Sequence, residues 1–140
     1  MPARRDIMTG RLNFLEKPWG AMEPFDQSLQ SVLSAEKNIH TQMFSDHAHY
    51  VIPGGENYTK GFTAWEVNRG QEGDPVWTRP CESGIRPDTP PAGFKGTWSE
   101  AERENRSRFR TEYDYPSVKT MWHAAEWLED NHGADKFFLW

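Results

Sequence analysis

Ile39-His40-Thr41-Gln42-Met43-Phe44-Ser45-Asp46-His47-Ala48-His49-Tyr50 is the run on which the architecture turns. Residues 39–44 read as a strand, being rich in β-branched and aromatic side chains with no Gly or Pro among them. Ser45, Asp46, His47, His49 and Tyr50 then crowd together directly after it. Polar residues gathered past the carboxyl end of a strand are what an open α/β sheet presents to its ligand. A helix comes before the strand. Asp26 reads as its N-cap, and residues 27–37 place Leu29, Val32 and Leu33 on one face.

Outward from this run, residues 51–77 read as a β excursion. Pro53-Gly54-Gly55 is a strong turn, and residues 62–67 alternate around Trp65. Arg69-Gly70-Gln71-Glu72-Gly73-Asp74-Pro75 is a polar loop of turn residues, with no role that follows from its composition. Residues 78–96 form a Pro/Gly-rich connector that holds Cys81 as an incidental thiol. A polar helix begins at Thr97 or Ser99, Thr97 and Glu100 having capping-box spacing. Arg103, Arg106, Arg108 and Arg110 against Glu100, Glu102 and Glu104 give it a solvated face, an anion-binding arginine cluster being the sharper alternative. Residues 117–131 are the clearest helix, with Val118, Met121, Trp122, Ala125 and Leu128 as an apolar stripe and Gly133 as a left-handed stop. His123 falls on its polar face and His132 at its end. Residues 136–140, Lys-Phe-Phe-Leu-Trp, read as a strand buried on both faces, which predicts a parallel sheet.

The whole chain of 140 residues suits one domain with a modest core. With 16 basic and 21 acidic residues it carries a net charge of −5, and no basic stripe accompanies its aromatics, which argues against a nucleic-acid surface. A lone cysteine supports neither a disulfide framework nor a cysteine metal site. No apolar run approaches membrane-spanning length.

At the beginning of the chain, Pro2-Ala3-Arg4-Arg5-Asp6-Ile7-Met8-Thr9-Gly10-Arg11 is a short helix with both ends marked. Pro2 suits its first turn and Gly10 its stop. Ile7 and Met8 form an apolar side, Arg4 and Arg11 a basic one. An arginine in the first turn of a helix favours an anion there. The run resembles the sulfatase signature: Cys or Ser, a small residue, Pro, Ser/Thr/Ala, Arg, two free positions, two apolar residues, Thr, Gly. Pro2, Ala3, Arg4, Ile7, Met8, Thr9 and Gly10 fall on that pattern, and Met1 departs from it. The leading Cys or Ser, which the family converts to the formylglycine nucleophile, would stand immediately before Met1. Met1 is therefore expected to be internal to a longer protein, or a misassigned start.

Similarity to one bacterial branch of the sulfatases extends along the chain through Asn13-Phe14-Leu15, Trp19 to Asp26, Trp65-Glu66 and Arg69 to Pro75. Where sulfatases carry Gly-Lys-x-His, this chain has Ser45-Asp46-His47-Ala48-His49, so the lysine is replaced by Asp46 or missing. The resemblance implies hydrolysis of a small-molecule or carbohydrate sulfate ester on an alkaline-phosphatase-like α/β sandwich, here incomplete, with a parallel sheet and flanking helices. It implies that Arg4 holds the formylglycine and that His47 or His49 contacts the substrate, as hydrogen-bond donor or leaving-group acid. Thr9, Gly10 and Arg11 shape the helix. A divalent cation, calcium being the ion expected, would serve the full-length enzyme, with its acidic ligands outside this chain and no metal site within it. Asp-His-x-His has the look of a metal cluster, yet two histidines at i, i+2 on a strand share a face that the adjacent Asp does not. The isolated chain is accordingly expected to be inactive. Two rivals stand beside this reading: a phosphate or phosphonate ester hydrolase of the same architecture, and a non-catalytic carbohydrate-binding module using Trp19, Trp65, Trp77 and Trp98.

Overall fold

Strand β1, His40–Ser45, begins and ends one residue later than expected. Thr41, Gln42 and Met43 are all buried, as suits a strand covered on both faces. A computed structural model of the chain describes residues 2–12, 17, 19–71, 73–77 and 100–140. The 78–96 connector with Cys81, the Asn13-Phe14-Leu15 stretch, Thr97 and Trp98 lie outside the described residues. β1 pairs in parallel with β2, Ala64–Val67, from Gln42 opposite Ala64 to Ser45 opposite Val67. On its other edge it pairs in parallel with β3, Phe137–Leu139, from His40 opposite Phe137 to Gln42 opposite Leu139. The order is β2-β1-β3, and the chain is an α/β protein with a small three-stranded parallel sheet.

Parallel neighbours need crossovers, so the 51–77 excursion is no hairpin. It is the turn-rich connection that returns the chain to lay β2 beside β1. β3 sits at an edge, which corrects the expectation of a strand buried on both faces: Phe137 stays exposed, while Phe138 stacks with Phe62 at 6.3 Å between ring centroids.

Helix α1, Pro2–Thr9, is closed by Gly10 at φ 67° and by the Thr9 hydroxyl donating to the Arg5 carbonyl at 2.7 Å. Its inward face is Arg5 and Met8, not Ile7 and Met8; Ile7 is 61% exposed. Helix α2, Leu29–Lys37, starts after Ser28 because Asp26 is drawn to Arg5 instead of capping the helix. The expected Leu29 face is likewise displaced. Gln30 is the buried residue, its amide donating to the Lys60 carbonyl at 3.4 Å, and the Ser34 hydroxyl donates to the Gly61 carbonyl at 2.8 Å. The loop that α2 packs on presents carbonyls, so a polar helical face has to meet it. Met8, Met22, Met43, Tyr50, Tyr58 and Phe62 form the core on this side of the sheet, flanked by Val67, Phe138 and Trp140.

Helix α3, Glu100–Arg106, buries Glu104 and Asn105 instead of presenting only a solvated face. Helix α4, Pro116–Asp130, covers the opposite face of the sheet. Trp127 stacks on His40 at 5.8 Å and meets Phe137 edge-on at 5.0 Å. His123, half-exposed, bonds Glu66 of β2 at 2.6 Å, beside buried Thr120. In consequence the apolar stripe points outward, with Met121 70% and Trp122 58% exposed. The helix stops at Asn131, whose amide donates to the Trp127 carbonyl at 2.8 Å; Gly133 does not take a positive φ. His132 stays at the helix end, against the Glu129 carbonyl. No helix among the described residues is long and apolar enough to cross a membrane.

Candidate functional site

Where β1 ends, the backbone N–H of His47 donates to the Ser45 hydroxyl at 3.1 Å, and a single 3-10 turn over Ala48–Tyr50 follows. That turn gathers three rings. The Nδ1 of His49 and the Nε2 of His47 share a proton in a 2.8 Å hydrogen bond. Tyr50 stands edge-on to His47 with centroids 6.2 Å apart, and its hydroxyl accepts from the Trp140 indole at 3.1 Å. Arg4, arriving from α1, lays its guanidinium over the Tyr50 ring at 5.3 Å. Arg4, His47 and His49 are thus brought to one place, joined through Tyr50. A guanidinium and an imidazole held against one phenol ring are both groups that can bond an anionic oxygen.

The loop 53–55 fixes this place. The Gly55 N–H donates to the Ile52 carbonyl at 3.0 Å, and a Cβ at Gly55 would lie 1.6 Å from the His49 carbonyl oxygen. Gly54, at φ 91°, leaves no room beside the Trp19 indole, and Trp19 itself sits edge-on to His49 at 5.0 Å. Residues 19–26 are stitched beneath. The Tyr58 hydroxyl donates to the Gly20 carbonyl at 3.1 Å, and burial pushes its phenol above the ordinary value, with the Arg5 charge opposing. Arg5 and Asp26 make a buried ion pair at 2.8 Å, their side chains 5% and 1% exposed.

Asp46 turns away from the histidines and accepts from the Gln71 amide. Gln71 belongs to the 69–75 loop, whose part the structure makes plain. Buried Asp74 accepts from Arg69 Nε at 3.1 Å and from the Gly70 N–H at 3.0 Å. The hydrogen bond to Asp74 raises the Arg69 pKa. Asn105 of α3 donates to the Asp74 carbonyl at 2.6 Å and accepts from the Trp77 N–H at 3.3 Å. The loop is a knot that props Asp46 and anchors α3. Of the α3 arginines and their neighbours, Arg108 lies over Trp77 at 4.8 Å. Among the described residues no group of three or more His, Cys, Asp or Glu stands together to hold a metal ion.

Tyr50 and Trp140 are members of the cluster that the sequence reading did not assign to it. The His47-x-x-Tyr50 spacing, one turn of a helix, was a signal for the first. The second had none, because only the parallel pairing of β3 carries Trp140 over Tyr50. In class, then, this is an α/β protein with a parallel sheet and an Arg–His–Tyr cluster past the carboxyl end of its central strand. No family model matches the chain, and no curated protein or solved structure matches it either.

Proposed function

We propose that the chain is the part of a formylglycine-dependent sulfatase that follows the nucleophile, on an alkaline-phosphatase-like sandwich. The observation that carries the proposal is the meeting of Arg4 with the His47–His49 pair across Tyr50. The signature arginine and the first histidine of the pair are 43 residues apart (Arg4 to His47), and a chance helix has no need to deliver its first-turn arginine there. In this reading Arg4 holds the nucleophile by charge-assisted hydrogen bonds, and Tyr50 orients Arg4. His47 or His49 donates a proton to the ester oxygen as the alcohol leaves, imidazole being suited to that near neutral pH. The formylglycine hydrate supplies the oxygen that attacks sulfur. No step here is assigned to a cation, whose acidic ligands the resemblance places outside this chain.

The test is kinetic, in the longer protein that carries the nucleophile. Arg4→Ala is expected to lower kcat for an aryl sulfate by about 10²–10³-fold, the scale for loss of a positioned donor, while the melting temperature holds. An unchanged kcat with sulfate, or turnover of the matching aryl phosphate alone, would overturn the proposal.

A further inference from the structure

The geometry points to a second, independent site: a cleft at the start of α4 that takes a single sugar ring bearing an acidic group. The cleft has a volume of about 210 Å³ and is lined by Tyr113, Val118, Lys119, Trp122 and His123. That is below the roughly 300–1,000 Å³ of sites for drug-sized ligands and leaves room for one ring with a substituent. Tyr113 and Trp122 stand edge-to-face, with centroids 5.7 Å apart and planes at 81°, and so form an aromatic corner. Both are more than half exposed, which is a poor use of two large aromatics unless something packs on them.

The His123 side of the cleft is held by a polar network behind it. Glu66 Oε1 accepts from His123 Nδ1 at 2.6 Å and from the Asn68 amide at 2.7 Å, and the same amide donates to the Thr120 hydroxyl at 3.1 Å. With Nδ1 engaged by the carboxylate, Nε2 is the polar atom His123 has left for a ligand. A hydroxyl, which both donates and accepts, can meet that nitrogen in either protonation state. Lys119, one turn before His123 on α4, adds an ammonium to the lining. Ring faces for stacking, an imidazole nitrogen for a hydroxyl and a cation together describe a saccharide carrying a carboxylate or sulfate. A flat aromatic acid would satisfy the corner and the lysine but brings no hydroxyl to Nε2. The inference does not rest on the sulfatase reading, because none of these residues belongs to the Arg4–His47–His49 cluster.

The experiment is an NMR titration of the 140-residue chain, followed at the Trp122 indole and the His123 ring. The ligands are glucuronic acid, glucose 6-sulfate, glucose and benzoate. Both acidic sugars are expected to shift the two resonances, with glucose and benzoate binding about tenfold more weakly or worse. Trp122→Ala should abolish binding. Lys119→Gln should bring the acidic sugars down to the affinity of glucose, and Lys119→Arg should restore the difference; the latter pair also guards against a mere folding defect. Silence at both resonances, benzoate binding as well as glucuronic acid, or an affinity indifferent to Lys119→Gln would overturn the inference.

Discussion

Arg4 and Arg5 are neighbours with opposite fates. Arg4 reaches the Tyr50 ring, whereas Arg5 is turned under α1 and sealed against Asp26. The sequence singled out Arg4 by its place in the resemblance, without its contact to Tyr50, and gave no sign of Arg5's partner. Arg5 shares its face with Met8, three residues on, and that spacing pointed inward more truly than the adjacent pair Ile7 and Met8 did. Reading Asp26 as a helix cap hid its real partner, which is 21 residues away in the chain and so beyond any local rule (26 − 5). The buried pair has a consequence: Asp26→Ala strands a guanidinium away from water and is expected to cost about 3–5 kcal/mol. Chemical denaturation of the variant against wild type measures it, and a loss under about 1 kcal/mol would mean that Arg5 finds water instead. Gly55→Ala acts at the same scale. Its methyl would collide with the His49 backbone, so stability should fall by about 1–3 kcal/mol with a shift in both His47 and His49 ring resonances. Unmoved histidine signals would show that the turn does not set the site.

Elements were more legible than the faces they present. The 117–131 helix lies within one residue of α4 at each end, yet its expected inner stripe is its outer surface. Hydrophobic periodicity locates a helix without saying what lies opposite, and here Glu66 of β2 and Asn68 just after it call for His123 and Thr120 rather than Met121 and Trp122. The same reversal put Gln30 inside α2. Ahead of α4, the turn over Glu112–Asp114 closes a reciprocal capping box with Thr111. Backbone N–H bonds from Thr111 and then Arg110 hold the Asp114 carboxyl below the usual carboxylate range. A depressed folded-state pKa contributes stability above the unfolded value, and that stability is lost as pH falls through the folded one. Acidification below about pH 4 should therefore unwind this turn, and Asp114→Asn should flatten the loss. Melting temperatures of both proteins between neutral and acid pH give the comparison; parallel curves would remove Asp114 from the account.

For the whole molecule, the parallel sheet with helices on both faces followed from the apolar run at 136–140 and from the helix–strand order at 27–44. The crossovers did not. Only they bring Trp140 to Tyr50 and α1 to the end of β1, where the residues singled out in three separate stretches meet. Under the function proposed above, Arg4 would stand at the sulfatase signature's spacing from a nucleophile encoded immediately before Met1. The most direct measurement is to read the parent gene and protein at that position. A Cys or Ser codon in frame, with formylglycine found there by peptide mass spectrometry, is the predicted result. An in-frame stop codon, or any other amino acid immediately before Met1, would contradict it.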